Sequence, residues 1–181
     1  AGGLRRGGLS DRMATPESRD DSLDLAAEAD RLARFLNEQT SLVLAVTPLD
    51  DAAPIIGTLP FAWRDDAFWV LASELASHTR PLLAGHEASV ALLANQSSTR
   101  NPFARERAQW TASVEAVGRD DARFPSITAS LRERHGKTVD LLCGLGDFHL
   151  LGFHPAAGSY VNGFGSAFVL DRFSVVSPRR G

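Results

Sequence analysis

The feature that most constrains the fold is a succession of short β-type runs between residues 42 and 176, broken by turn residues and never alternating regularly with helices. The clearest run is 110–117. Trp110, Ala112, Val114 and Ala116 fall on one side, and Thr111, Ser113 and Glu115 on the other, the period-two pattern of a half-buried strand. Residues 42–46 are continuously apolar, as expected of a strand buried on both faces. Asp50 and Asp51 before Pro54 predict a turn. Residues 55–63 and 67–73 read as two strands joined by a hairpin at Arg64, Asp65 and Asp66, and residues 89–94 as a fourth. Further strands are expected at 148–153, 159–161 and 167–176, separated by Gly and Pro. Six to eight short strands with few helices predict a closed or nearly closed antiparallel barrel rather than a parallel sheet.

Helical signals sit around this series. Ser22 is a candidate N-cap for a helix whose apolar face is Leu25, Ala29, Leu32 and Leu36. A short helix is expected over 80–84. A helical insert opens at Asp121 and Pro125, buries Ile127 and Leu131, and stops at Gly136, with a second short helix over 139–143. Residues 1–21 carry no apolar period and are expected to be a flexible lead, with residues 22–181 a single domain.

Composition narrows the function. Lys plus Arg is 19 and Asp plus Glu is 22, a net charge of −3, which excludes a generally basic nucleic-acid binder. Cys143 is the single cysteine, so an intramolecular disulfide and a cysteine-cluster zinc site are both excluded. No apolar run approaches the ~20 residues of a membrane span. The opening residues lack the charged-then-apolar order of a signal peptide. A cytoplasmic protein is the expectation, with no membrane or nucleic-acid partner.

Three stretches carry candidate chemistry. In 73–82, Ser73, Ser77, His78, Thr79 and Arg80 lead from a strand into a short helix. They are expected to converge on an anion such as a phosphate; the competing reading is a capped loop. In 101–107, Arg105 and Arg107 are expected on one strand side, as a clamp for acidic ligand groups or as ion-pair partners of Glu106 or Glu115. In 158–167, Gly163-Phe164-Gly165 reads as a tight turn. Asp147, His149 and His154 lie close together; Asp147 and His149 share a strand side and are candidates for a hydrogen-bonded pair or a metal site, local hydrogen bonding being the commoner outcome. Cys143 is expected to act as a small buried apolar group.

Taken together and in this order, these residues resemble the FMN-binding split barrels related to pyridoxamine 5'-phosphate oxidase, in particular their haem-utilisation (HugZ/HutZ-type) branch. The resemblance runs from about residue 42 to 167. It is carried by Leu59-Pro60-Phe61-Ala62, residues 73–80, Phe103-Ala-Arg-Glu-Arg107, Asp147-Phe148 and residues 160–167. It implies a mainly β fold: a homodimeric six-stranded antiparallel split β-barrel with an N-terminal helix, a helical insert and cofactor sites at the subunit interface. In the flavin reading, Ser73, Ser77, His78, Thr79 and Arg80 hold the FMN phosphate, and Thr58, Leu59, Pro60 and Phe61 border the isoalloxazine ring. The activity implied is that of a flavin-dependent oxidoreductase, in which no side chain need be an acid or base. In the haem reading, a haem-binding or haem-degrading protein, Arg107 lies near a propionate. Asp147 then supports an axial His from the family's C-terminal tail. The third reading is a non-enzymatic flavin or haem carrier or sensor. The family often has Lys where His78 stands, and no His follows His154 in this sequence.

Overall fold

The computed structural model describes residues 24–48, 50 and 53–179. The expected flexible lead, the Ser22 cap and Asp51 of the expected turn lie outside the described residues. The first helix, α1 (Leu25–Glu38), is capped by Asp24, whose Oδ1 accepts from the backbone N–H groups of Ala26 and Ala27. It buries Leu32, Phe35 and Leu36. Each such burial contributes about 1.5–3 kcal/mol, whereas the solvent-accessible ion pair from Arg31 of this helix to Glu106 contributes at most about 1 kcal/mol. The apolar face therefore holds α1 in place.

The strands are β1 (Ser41–Val46), β2 (Ile55–Arg64), β3 (Ala67–Ser73), β4 (Ala88–Leu93), β5 (Arg107–Val117), β6 (Phe148–Gly163), β7 (Ser166–Asp171) and β8 (Ser174–Pro178). Neighbours run β3-β2-β1-β4-β5-β6-β7-β8, and a β3–β6 pairing closes the first six into a barrel, every pair antiparallel. The β2–β3 hairpin turns at Asp65 and Asp66, both at positive φ (51° and 55°), the conformation a tight two-residue hairpin demands. β7 and β8 extend the sheet from the outer half of β6.

Two apolar clusters result. The barrel interior holds Phe61, Phe68, Trp110, Phe153, Tyr160 and Phe168 together with the α1 face. A second cluster lies on the other side of β2, β3 and β6. There Ala62, Trp69, Leu71 and Leu150 are covered by Ile127 and Leu131 of α3 (Phe124–His135) and Val139 of α4 (Thr138–Gly144). Gly136 ends α3 at φ 78°, as the sequence predicts. Cys143 is half-buried beside this cluster.

Several expectations change. β1 is buried on one face: Leu42, Leu44 and Val46 point inward, while Val43 and Ala45 are half-exposed. The alternation of β5 does not persist. A register shift between Trp110 and Ala112 and the passage from one cluster to the other leave Ala116 exposed and Val117 buried. The separate strands expected at 148–153 and 159–161 are one 16-residue strand, β6. Pro155 is accommodated where the β5–β6 register shifts, a position that tolerates a missing N–H. The single strand expected at 167–176 turns back at Arg172 (φ 52°) into β7 and β8.

Candidate functional site

The ends of β3 and β6 meet, with Ser73 opposite Phe148 and Ala72 opposite His149. Asp147, just before β6, receives two hydrogen bonds from the end of β3. Ser73 Oγ donates to its Oδ2 at 2.9 Å, and the Glu74 N–H donates to its carbonyl at 2.9 Å. Ser73 Oγ accepts in turn from the Leu75 N–H at 3.2 Å. The Ser73 carbonyl accepts from Thr79 Oγ1 at 2.6 Å and from the Ala76 N–H at 3.1 Å. The segment is thus a closed hydrogen-bonded loop leading into α2 (Thr79–Leu83).

His78 precedes α2 and is 7% exposed. Its ring lies against the Gly57 backbone of β2 so closely that a Cβ on residue 57 would overlap it. Its Nε2 is buried without a partner, and burial pushes its pKa down. Ser77 and Arg80 are exposed. The five residues expected to converge on a phosphate are therefore divided. Ser73 and Thr79 bond within the loop, His78 turns inward, and Ser77 and Arg80 face out.

On β2, Thr58 and Pro60 are exposed while Leu59 and Phe61 are buried, so the strand's outer face presents only two of the four residues expected beside a ring. Asp147 and His149 do not pair with each other. His149 Nε2 instead meets Glu74 Oε1 at 2.7 Å, and Glu74 was not singled out by its sequence. No signal in the chain joins residues this far apart. No group of three or more His, Cys, Asp or Glu side chains among the described residues could hold a metal ion.

Arg107 is remote from this cluster. It pairs with Val161, near the far end of β6, and at about 3.3 Å per strand residue it is tens of ångströms along the strand from Asp147. Its Nη1 donates to the Arg105 carbonyl at 3.0 Å. Arg105 does not share its strand side: it ends a 3₁₀ turn, and its Nε donates to the Ala94 carbonyl at 2.7 Å. The acids expected to pair with these arginines have other partners. Glu106 takes Arg31 and the Tyr160 hydroxyl. Glu115 takes Arg123 at 2.5 Å and His154 at 3.1 Å. The 163–166 turn forms as predicted, with Gly165 at φ 72°.

On the outside of the barrel a groove of about 410 Å³ crosses β1, β4, β5 and β6. Val43, Ala45, Ala91 and Ile56 line it, with Gln109, Thr111 and Arg179 supplying polar groups. Ile56 is 72% exposed.

A closed six-stranded antiparallel barrel with an added helical insert defines a split barrel of the pyridoxamine 5'-phosphate oxidase type. A protein of the pyridoxine-phosphate oxidase family from Clostridium acetobutylicum superposes with a TM-score of 0.57 at 11% identity, over 80% of this chain and 94% of that one. Within this class the chain belongs to the HutZ-type haem-utilisation family. It is 30% identical over 137 residues to the haem oxygenase HutZ of Vibrio cholerae, spanning 76% of this chain and 77% of that protein. The crystal structure of HutZ from Vibrio cholerae, described as a haem storage protein, matches with a TM-score of 0.66 at 28% identity, over 70% of this chain and 88% of that one. ChuZ of Campylobacter jejuni matches in fold at 19% identity, with a TM-score of 0.76 over 84% of this chain and 62% of that one. No family model matches the chain.

Proposed function

We propose that this protein binds haem at the interface of a homodimer, in preference to FMN. The observation that carries the choice is the Ser73–Asp147 hydrogen bond. A flavin phosphate is a dianion that needs several free donors. Here the Ser73 hydroxyl is given to a carboxylate, the Thr79 hydroxyl to a carbonyl, and the His78 ring is closed against Gly57. Of the expected phosphate ligands, Ser77 and Arg80 alone are exposed, and the Asp147 carboxylate, bonded to Ser73 at the start of the same loop, disfavours an anion there.

Haem asks for something different: apolar surface for the macrocycle, a cation for its propionates and a supported ligand to iron. Leu75 and Leu145, beside the Asp147 cluster, are 92% and 41% exposed, and Arg107 is exposed. Kinship with a haem oxygenase and a haem storage protein supports the same reading. Bound haem supplies the redox chemistry; this chain's residues bind and orient it.

The homodimer is supported by the outer groove, where Val43, Ala45, Ala91 and Ile56 offer apolar surface along β1, β2 and β4. Arg107 and Asp147 lie far apart in one chain, so a site that uses both draws on two protomers. The test is a haemin titration of the purified protein, with turnover then measured with a chemical reductant. One haem per protomer with a sharp Soret band is expected, and loss of that band under reductant and oxygen identifies a degrading enzyme rather than a carrier. A protein that takes up FMN stoichiometrically and leaves haemin unbound contradicts the proposal.

A further inference from the structure

Three buried side-chain nitrogens among the described residues have no hydrogen-bond partner: His78 Nε2, Trp63 Nε1 and Arg134 Nε. His78 is closed against Gly57. The other two line one cleft, where α3 packs on β2. The cleft has a volume of about 340 Å³ and is lined by Ala62, Trp63, Arg64, Ser130, Glu133 and Arg134. None of these residues enters the flavin or the haem reading.

The fold brings the two donors to one place. Phe61 and Trp63 are two apart on β2 and share a face. The Arg134 guanidinium reaches over that face from α3 and stands 5.4 Å from the centre of the Phe61 ring. Its Nη2 donates to the carbonyls of Asn37, at 2.8 Å, and Gln39. Nearby arginines have carboxylates: Arg64 pairs with Asp65 at 2.8 Å and Arg132 with Asp140 at 2.9 Å. Arg134 has no carboxylate partner among the described residues. Burial pushes its pKa down.

A half-buried cation held by carbonyls alone, beside an unused indole N–H, is unfavourable until something supplies acceptors and negative charge. A carboxylate supplies both. It offers one oxygen to each donor and neutralises the guanidinium. A dianion suits the cleft less well, because Glu133 lines it and is exposed at its rim. Ala62 and the Trp63 ring give a short carbon chain an apolar wall.

We propose that this cleft binds a small organic carboxylate, with Arg134 as its counter-ion and the Trp63 indole N–H as a second donor. The site is separate from the haem reading and stands without it.

The three tryptophans make the test direct. Each gives one indole N–H resonance, and the other two already donate within the protein, Trp69 to the Arg64 carbonyl and Trp110 to the Arg172 carbonyl. The isotope-labelled protein is titrated at constant ionic strength with sodium acetate and sodium butyrate, and separately with sodium chloride and sodium phosphate. Trp63→Phe assigns the Trp63 signal by its disappearance. That signal is expected to move downfield and saturate with either carboxylate, while the Trp110 signal stays in place. Chloride and phosphate are expected to leave both unmoved. Arg134→Gln is expected to weaken carboxylate binding by at least about tenfold. Arg134→Lys, which keeps the charge and loses the Nε donor, weakens it less. Thermal unfolding establishes that each variant folds, and Arg134→Lys covers the case in which Arg134→Gln does not. A Trp63 signal that ignores both carboxylates, or follows chloride equally, means a cleft filled by water and overturns the proposal. Saturation by phosphate in preference to acetate overturns the ligand class. Unchanged affinity in a folded Arg134 variant overturns the role of that residue.

Discussion

Ser73 Oγ donates to Asp147 Oδ2 across 2.9 Å, tying the end of β3 to the residue that opens β6, 74 positions later. The two segments that the flavin and haem readings invoke separately are therefore one hydrogen-bonded unit. A hydroxyl held by a carboxylate is not free to cradle a phosphate, so the contact selects between ligands as well as stabilising the fold. Ser73→Ala removes a hydrogen bond to a half-buried carboxylate and is expected to cost about 1–2 kcal/mol. Chemical denaturation of the parent and the variant measures this. An unchanged midpoint would show that the contact carries no stability.

The Gly57–His78 contact gives a second expectation. A Cβ at residue 57 overlaps the His78 ring, and such overpacking typically costs about 1–3 kcal/mol. Gly57→Ala is expected to destabilise the parent by that amount and to cost much less in a His78→Ala background. The double-mutant cycle reads the coupling directly. Additive effects would mean the ring yields without cost.

The same histidine sets a pH dependence. Burial lowers its folded pKa below the ordinary histidine value of 6.5. The unfolded chain then binds the proton more readily, so the stability His78 contributes is present above pH 6.5 and is lost as pH falls through the folded pKa. The melting temperature of the parent is expected to decline on acidification below pH 6.5. A His78→Gln variant should lose part of that slope. Identical slopes in the two proteins would place the pH dependence elsewhere.

Ile56 tests the assembly. It is 72% exposed on the rim of the outer groove, so Ile56→Glu removes little burial within one chain and places a charge in the proposed interface. The parent is expected to sediment as a dimer and the variant to shift toward monomer, with apoprotein secondary structure unchanged. A parent that sediments as a monomer, or a variant that stays fully dimeric, argues against this face.

Much of the fold is written locally. β3 is bounded where its sequence predicts, because the turn at Asp65 and Asp66 and the hydroxyl-rich loop after Ser73 punctuate it. Gly136 stops α3 for the same kind of reason. What is not local is hidden. The continuously apolar β1 looks buried on both faces, yet Val43 and Ala45 lie half-exposed on the outer groove. β5 breaks its alternation because it passes from one apolar cluster to another, which its own residues do not announce. In the site, the loop residues 73–80 and Asp147 are visible as polar groups near strand ends. Their partners are not: Asp147 and His149, neighbours in sequence, are each held from across the β3–β6 junction by Ser73 and Glu74. Donors that look free in a sequence are spoken for once the barrel closes.

The most direct measurement is a pair of equilibrium titrations of the same apoprotein, one with haemin and one with FMN, followed by absorbance and by flavin fluorescence. The account predicts saturable haemin binding at one per protomer and FMN affinity at least tenfold weaker, about 1.4 kcal/mol. Tight FMN binding that is lost in Arg80→Ala, with haemin unbound, would contradict it.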